Sequence, residues 1–208
     1  MRAVFGLLLL LGSCVGGPMG PPPPAPLQGN AIAAEEEGLA LSVWEPGDAP
    51  RAIILAVHGY GDYGPSTFDG PARYWASRGF TTYAYDQRGF GRNESRGRWP
   101  GADALIADFR EMSARIRRRH PGLPLFVVGH SMGGAVAIAG VADGAEADGL
   151  ILAAPAVWGG SQLALPYRGA AWGGALLFPD KRWTGEGLVS IQASDNIEAL
   201  IALGRDPL

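Results

Sequence analysis

Residues 125–134 read Leu-Phe-Val-Val-Gly-His-Ser-Met-Gly-Gly, and Ala135-Val136-Ala137-Ile138-Ala139-Gly140-Val141 follow. An apolar run of strand length, Leu125 to Val128, meets a Gly-x-Ser-x-Gly turn. Ser131 to Val141 is then small and apolar, which suits a helix buried against a sheet. In that setting the serine occupies a strained turn that lifts its hydroxyl above the sheet. Gly129 and Gly133, two residues to either side, let the strand and helix backbones approach closely, and Gly134 and Ala135 extend that smallness. The pentapeptide alone is common by chance. Between a buried strand and a helix it is specific, and it marks Ser131 as a candidate nucleophile. His130 adjoins the serine, but its side chain should point away on the turn, so it reads as a packing residue.

On either side of this stretch, strand and helix patterns alternate. Ala52 to Val57 is a continuous apolar run, as expected of a strand covered on both faces. Leu39 to Val43, Thr81 to Tyr85 and Gly149 to Ala153 are further strand candidates. Pro71 to Ser77 reads as a short helix. A longer one opens at Pro100-Gly101, carries Leu105, Phe109, Met112 and Ile116 on one face, and ends at His120-Pro121-Gly122. This alternation predicts an α/β fold with a mostly parallel sheet and helices on both faces. The pattern breaks at Trp158. Residues 158–208 hold Gly, Trp and Pro with weak helical patches at Leu163 to Leu177 and Asn196 to Leu203, and read as the start of a cap.

His58-Gly59-Tyr60-Gly61 follows the Ala52–Val57 run. Acyl transfer places negative charge on the substrate carbonyl oxygen, and two fixed backbone N–H groups can stabilise it. The N–H of Met132, just after the serine, and that of Tyr60 are the candidates for this oxyanion hole. Gly59 shapes the loop, and His58 is expected to brace it by hydrogen bonds.

The 208 residues carry a net charge of −3, with 47% apolar and 18% charged residues, an ordinary composition for a globular protein. A net charge of −3 predicts no nucleic-acid partner, since phosphate binding needs clustered positive charge and the one basic cluster has another reading. The basic cluster of Arg115 and Arg117 to Arg119 falls at a helix end, where it complements the helix dipole. Cys14 is the only cysteine, so no intrachain disulfide is possible. Residues 1–14 form a secretory signal: Arg2, an apolar run from Ala3 to Leu11, then Gly12-Ser13-Cys14. That run is too short to span a membrane, which takes about 20 residues. Leu11-Gly12-Ser13-Cys14 resembles a bacterial lipobox, which implies lipidation of Cys14, export to the cell envelope and membrane attachment through the lipid anchor. Residues 15–38, rich in Pro and Gly, read as a linker to a domain whose core spans 39–157.

Together, His58-Gly59-Tyr60-Gly61, Tyr83-Ala84-Tyr85-Asp86-Gln87-Arg88-Gly89-Phe90-Gly91, Pro121 to Leu125, Gly129 to Gly134 and Ala153-Ala154-Pro155-Ala156 resemble the monoacylglycerol lipase and lysophospholipase group of α/β hydrolases. The resemblance runs from about Arg51 to Leu208. It implies an α/β-hydrolase fold, serine hydrolysis of lipid or small carboxylic esters through an acyl-enzyme, a cap over the acyl pocket, and no metal or organic cofactor. Apolar residues of the cap, among them Trp158, Leu163, Leu165, Trp172 and Phe178, would suit an acyl chain or ordinary packing equally. Asp86 and Arg88 read as a structural ion-pair and turn element.

In this fold the triad runs Ser, then Asp or Glu, then His. The three histidines here are His58, His120 and His130, and none follows Ser131. The chain is therefore expected to be the front part of a longer enzyme, incomplete at its C-terminus and near inert by itself. The alternatives are a non-catalytic, lipid-anchored binding protein and a related nucleophilic chemistry on the same fold, such as acyl transfer or a peroxidase-like reaction.

Overall fold

The computed structural model describes residues 31–36 and 38–157, and seven isolated positions beyond them: Leu165, Gly169, Gly173, Leu176, Leu177, Ile197 and Ile201. The expected signal segment with Cys14, most of the expected linker and most of the expected cap lie outside the described residues. The chain divides into two compact units. In the unit of residues 1–21, 97–99 and 158–208, the seven isolated positions are all helical, in keeping with the two helical patches of the sequence, and Leu165, Leu176 and Leu177 are exposed. Residues 22–96 and 100–157 form the other unit, which contains the sheet. No helix among the described residues is long and apolar enough to cross a membrane.

The strands are β1 (Ala31–Glu36), β2 (Leu39–Trp44), β3 (Ala52–Val57), β4 (Phe80–Tyr85), β5 (Leu125–His130) and β6 (Gly149–Ala153). They form one sheet in the order β1-β2-β4-β3-β5-β6. β4, β3, β5 and β6 run parallel, while β1 and β2 pair antiparallel at one side. The helices α1 (Gly64–Ala76), α2 (Ala102–Arg119) and α3 (Met132–Ala142) connect β3 to β4, β4 to β5 and β5 to β6.

The pleat of β3 explains its unbroken apolar sequence. Ile53, Leu55 and Val57 pack with Leu105, Phe109, Met112 and Ile116 of α2 and Val136 of α3. Ile54 and Ala56 point the other way, to Phe68, Ala72 and Ala76 of α1 and to Trp44. Helices thus cover both faces, and α/β architecture with a mostly parallel sheet is what the alternation predicts. β6, at the sheet's edge among the described residues, leaves Ile151 and Leu152 exposed.

Two boundaries differ from expectation. Ala31–Glu36 lies in the sequence assigned to the linker, yet it pairs with β2 along its whole length, from Ala31 opposite Trp44 to Glu36 opposite Leu39. Its composition carries no period-2 signal, so cross-strand bonding makes it a strand rather than propensity. The helix expected at Pro71 to Ser77 begins seven residues earlier, at Gly64. Pro65 sits in its first turn, where a missing N–H costs nothing, and Pro71 is interior. The helix start is marked by Pro65, not by Pro71.

Candidate active site

Ser131 stands between the last residue of β5 and the first of α3, with φ 50° and ψ −117°. Such a conformation costs a non-glycine residue about 1–3 kcal/mol and persists only where the surroundings enforce it. The enforcement is visible. The Ser131 N–H donates to the Ala153 carbonyl at 3.0 Å, and its carbonyl accepts from the N–H groups of Gly134 at 3.0 Å and Ala156 at 2.9 Å. A Cβ on Gly129 would lie 2.6 Å from Gly134 Cα, and one on Gly134 would lie 2.8 Å from Pro155 Cβ. A Cβ on Gly133 would overlap the carbonyl oxygens of Val57 and His58. The three glycines are therefore steric requirements, and Ala153-Ala154-Pro155-Ala156 closes the far side of the turn.

Met132 opens α3, at the helix end whose first N–H groups have no intrahelical acceptor and carry the positive end of the dipole. The loop after β3 comes alongside. A Cβ on Gly59 would lie 3.3 Å from Ser131 Cβ and 3.2 Å from His130 Nδ1. The His130 ring thus packs beside the loop, and its Nδ1 is buried with no hydrogen-bond partner. The half-exposed Tyr60 ring meets Phe90 edge-on at 5.2 Å, and Phe90 meets His58 at 6.0 Å.

His58 is fully buried. Its Nδ1 lies 2.7 Å from the Gly59 carbonyl oxygen, and its Nε2 accepts the Gln87 N–H at 2.8 Å. The Gln87 side-chain amide donates to the His58 carbonyl at 2.6 Å. Burial lowers the His58 pKa from its ordinary 6.5, outweighing the opposing effects of Asp86, the Gly59 bond and Asp62. These bonds tie the His58 ring between the Gly59 carbonyl and the Gln87 N–H.

Behind it lies a hub the sequence does not reveal. Buried Asp86 accepts from the Gly64 N–H at 3.0 Å, the Arg92 N–H and Nε at 2.8 Å each, and Arg92 Nη2 at 2.9 Å. Arg92 Nη2 also donates to Ser42 Oγ at 2.9 Å. Asn93 donates to the carbonyls of Asp86 and Gln87 and accepts the Ala40 N–H at 2.8 Å. Asp86 and Arg88 do not pair with one another. Arg92 is the partner of Asp86, and Arg88 forms a two-pronged pair with Asp108 of α2 at 2.7 and 2.9 Å. Asp62 accepts from the Tyr63 N–H and from the Thr67 hydroxyl, anchoring the loop to the start of α1.

The basic cluster ending α2 does more than face a dipole. Arg117 bonds Asp148 at 2.9 Å, and Arg115 and Arg118 share Glu111. His120 exchanges a hydrogen bond with the Tyr83 hydroxyl at 2.8 Å, at the opposite end of the parallel strands from Ser131. His58, for its part, is committed at both ring nitrogens.

Residues 48–208 match the family model Hydrolase_4, described as serine aminopeptidase, S33. The chain is 32% identical to a monoacylglycerol lipase of Mycolicibacterium smegmatis over 121 residues, 57% of this chain and 43% of that protein. It is 28% identical to the human monoglyceride lipase over 147 residues, 67% of this chain and 46% of that one. Among solved structures, a thermostable carboxyl esterase from Bacillus coagulans superposes with a TM-score of 0.51 at 26% identity, over 59% of this chain and 43% of that chain. The chain spans about half the length of the curated relatives it matches.

Proposed function

The chain belongs to the α/β-hydrolase family described as serine aminopeptidase, S33, and we propose that the protein it comes from is a serine carboxylic ester hydrolase of the monoacylglycerol lipase or lysophospholipase type. The observation that carries this reading is the strained Ser131 at a strand–helix corner, with the Gly59 loop against it. In this reading the Ser131 hydroxyl attacks the ester carbonyl. The N–H groups of Met132 and Tyr60 hold the oxyanion, the alcohol leaves, and water hydrolyses the acyl-enzyme. None of the three histidines here hydrogen-bonds the Ser131 hydroxyl: two are committed elsewhere, and the His130 ring packs against the Gly59 loop, its Nδ1 buried with no hydrogen-bond partner. The reading therefore takes the base and its carboxylate partner from sequence beyond these residues. No metal or organic cofactor enters the scheme.

The family's description names a peptidase, but the curated relatives above are named as lipases, and that favours esters over peptides. The test sets monoolein, lysophosphatidylcholine and p-nitrophenyl butyrate against an aminoacyl p-nitroanilide, with the whole protein and its Ser131→Ala variant. Ester turnover abolished by the substitution is the expected result. Anilide turnover without ester turnover would overturn the reading. We also propose export and lipid anchoring through Cys14, so a palmitate label should be lost in Cys14→Ser. A label that survives sinks the anchor.

A further inference from the structure

The hydrogen bonds of His58 fix more than the position of a loop. Nε2 accepts a hydrogen bond from the Gln87 backbone N–H, so it must be bare. A neutral ring then carries its hydrogen on Nδ1, and the partner of Nδ1, 2.7 Å away, is the Gly59 carbonyl, which can only accept. The Gly59 carbonyl and the Tyr60 N–H belong to one planar peptide unit, and no peptide in the described chain is cis. In a trans unit C=O and N–H point opposite ways. Holding the carbonyl therefore aims the N–H. One unit earlier, the Gln87 side chain grips the His58 carbonyl at 2.6 Å and fixes the Gly59 N–H in the same manner. Successive peptide planes beside Ser131 are set from one residue, Gln87, itself tied through Asn93 to Ala40 of β2.

We propose that His58, its tautomer set by Gln87, is a positioning residue that orients the Gly59–Tyr60 peptide so that its N–H faces the site, and that the Gln87 side chain orients the peptide before it. The proposal rests on the oxyanion role given to Tyr60 above and adds what keeps that donor aimed. Asn in place of His58 can still present a side-chain N–H near the position of Nδ1. Leu cannot.

The experiment uses the whole protein. Spectra of 15N-histidine-labelled wild type at pH 7 should show His58 protonated on Nδ1 and bare on Nε2. Removing an oxyanion donor costs about 10²–10³ in kcat, so misdirecting one in His58→Leu should lower kcat about 10²-fold. KM should stay within about twofold, because the donor acts in the transition state. His58→Asn should recover most of that loss, and Gln87→Ala should lower kcat about tenfold. A proton on Nε2, equal losses in Asn and Leu variants, or a loss confined to KM would overturn the proposal. If His58→Leu does not fold, Gln87→Ala, which leaves the imidazole in place, decides the kinetic question. If the wild type hydrolyses no ester, the functional reading fails. The clamp is then judged by the tautomer and by crystal structures of the variants. A Gly59–Tyr60 peptide kept in Asn and turned in Leu supports it, and the same orientation in both refutes it.

Discussion

At the serine corner, Gly129, Gly133 and Gly134 bring backbone against backbone, and hydrogen bonds from Ala156 and to Ala153 hold the strained residue. On the other side of the site, the loop after β3 is held by buried side chains reaching between distant segments: His58 to Gln87, Asp86 to Arg92, and Asn93 to Ala40. One side is rigid because nothing larger than hydrogen fits. The other is rigid because every buried charge has its partner. The first should fail through added volume, the second through a lost proton acceptor or an added charge.

The largest effect is expected from Gly133→Ala. Its Cβ would overlap two backbone carbonyls, which cannot rotate away, so β3 and α3 must separate. We expect a loss of about 5 kcal/mol, comparable with the whole stability of many domains, seen as insoluble protein or a collapsed denaturation midpoint. A midpoint equal to wild type would show that the corner is looser than its contacts imply.

Asp86→Ala tests the polar side. It leaves Arg92, whose side chain is only 16% exposed, facing the emptied place of a fully buried carboxylate, and it strips the Gly64 N–H of its acceptor. Removing one partner of a buried pair costs about 3–5 kcal/mol. Urea melts should show that loss, and Asp86→Asn should show less of it. If Arg88→Ala costs as much as Asp86→Ala, the assignment of partners is wrong, since Arg88 pairs with Asp108 near the surface.

This contrast also explains what could be read in the sequence. The serine corner is local: five residues in a row, flanked by an apolar run and a run of small ones, declare strand, turn and helix. β3 declares itself by unbroken apolarity, because both faces are covered. The loop side is not local. Gln87 lies 29 positions from His58, and Asn93 lies 53 from Ala40, so no spacing rule could pair them. Asp86 and Arg88 are close in sequence and look like partners, but Arg92 returns across the Gly89–Gly91 turn to take that place. β1 was hidden for a related reason, its strand being made by β2 rather than by its own residues.

Acid should reach the loop side before the corner. The folded His58 pKa lies below 6.5, so below that pH the unfolded chain takes up a proton that the native ring refuses. The stability from neutral His58 is complete above about pH 6.5 and is lost as pH falls towards the folded value. Burial is the main cause, and Arg92 adds to it, while Asp86, Asp62 and the Gly59 bond act the other way. Partly buried His120, beside Arg119 and Glu45, shifts in the same direction, so His58→Asn should flatten only part of the decline as pH falls below 6.5. An unchanged profile would mean that His58 is not the group that titrates.

The smallest effect marks where neither kind of rigidity applies. Arg110 of α2 and Asp143 at the end of α3 meet at 2.7 Å, but their side chains are 49% and 58% exposed. Water screens the pair, and two long side chains lose freedom to form it, so Arg110→Ala should cost about 0.2–1 kcal/mol and less in high salt. The same two helices touch below this pair at Gly140, where a Cβ would overlap the Phe109 ring. Thus α2 and α3 are held by volume underneath and only decorated by charge above. If Arg110→Ala proved as costly as Asp86→Ala, burial would not be what separates a structural charge from an incidental one, and the contrast between the two sides of the site would lose its physical basis.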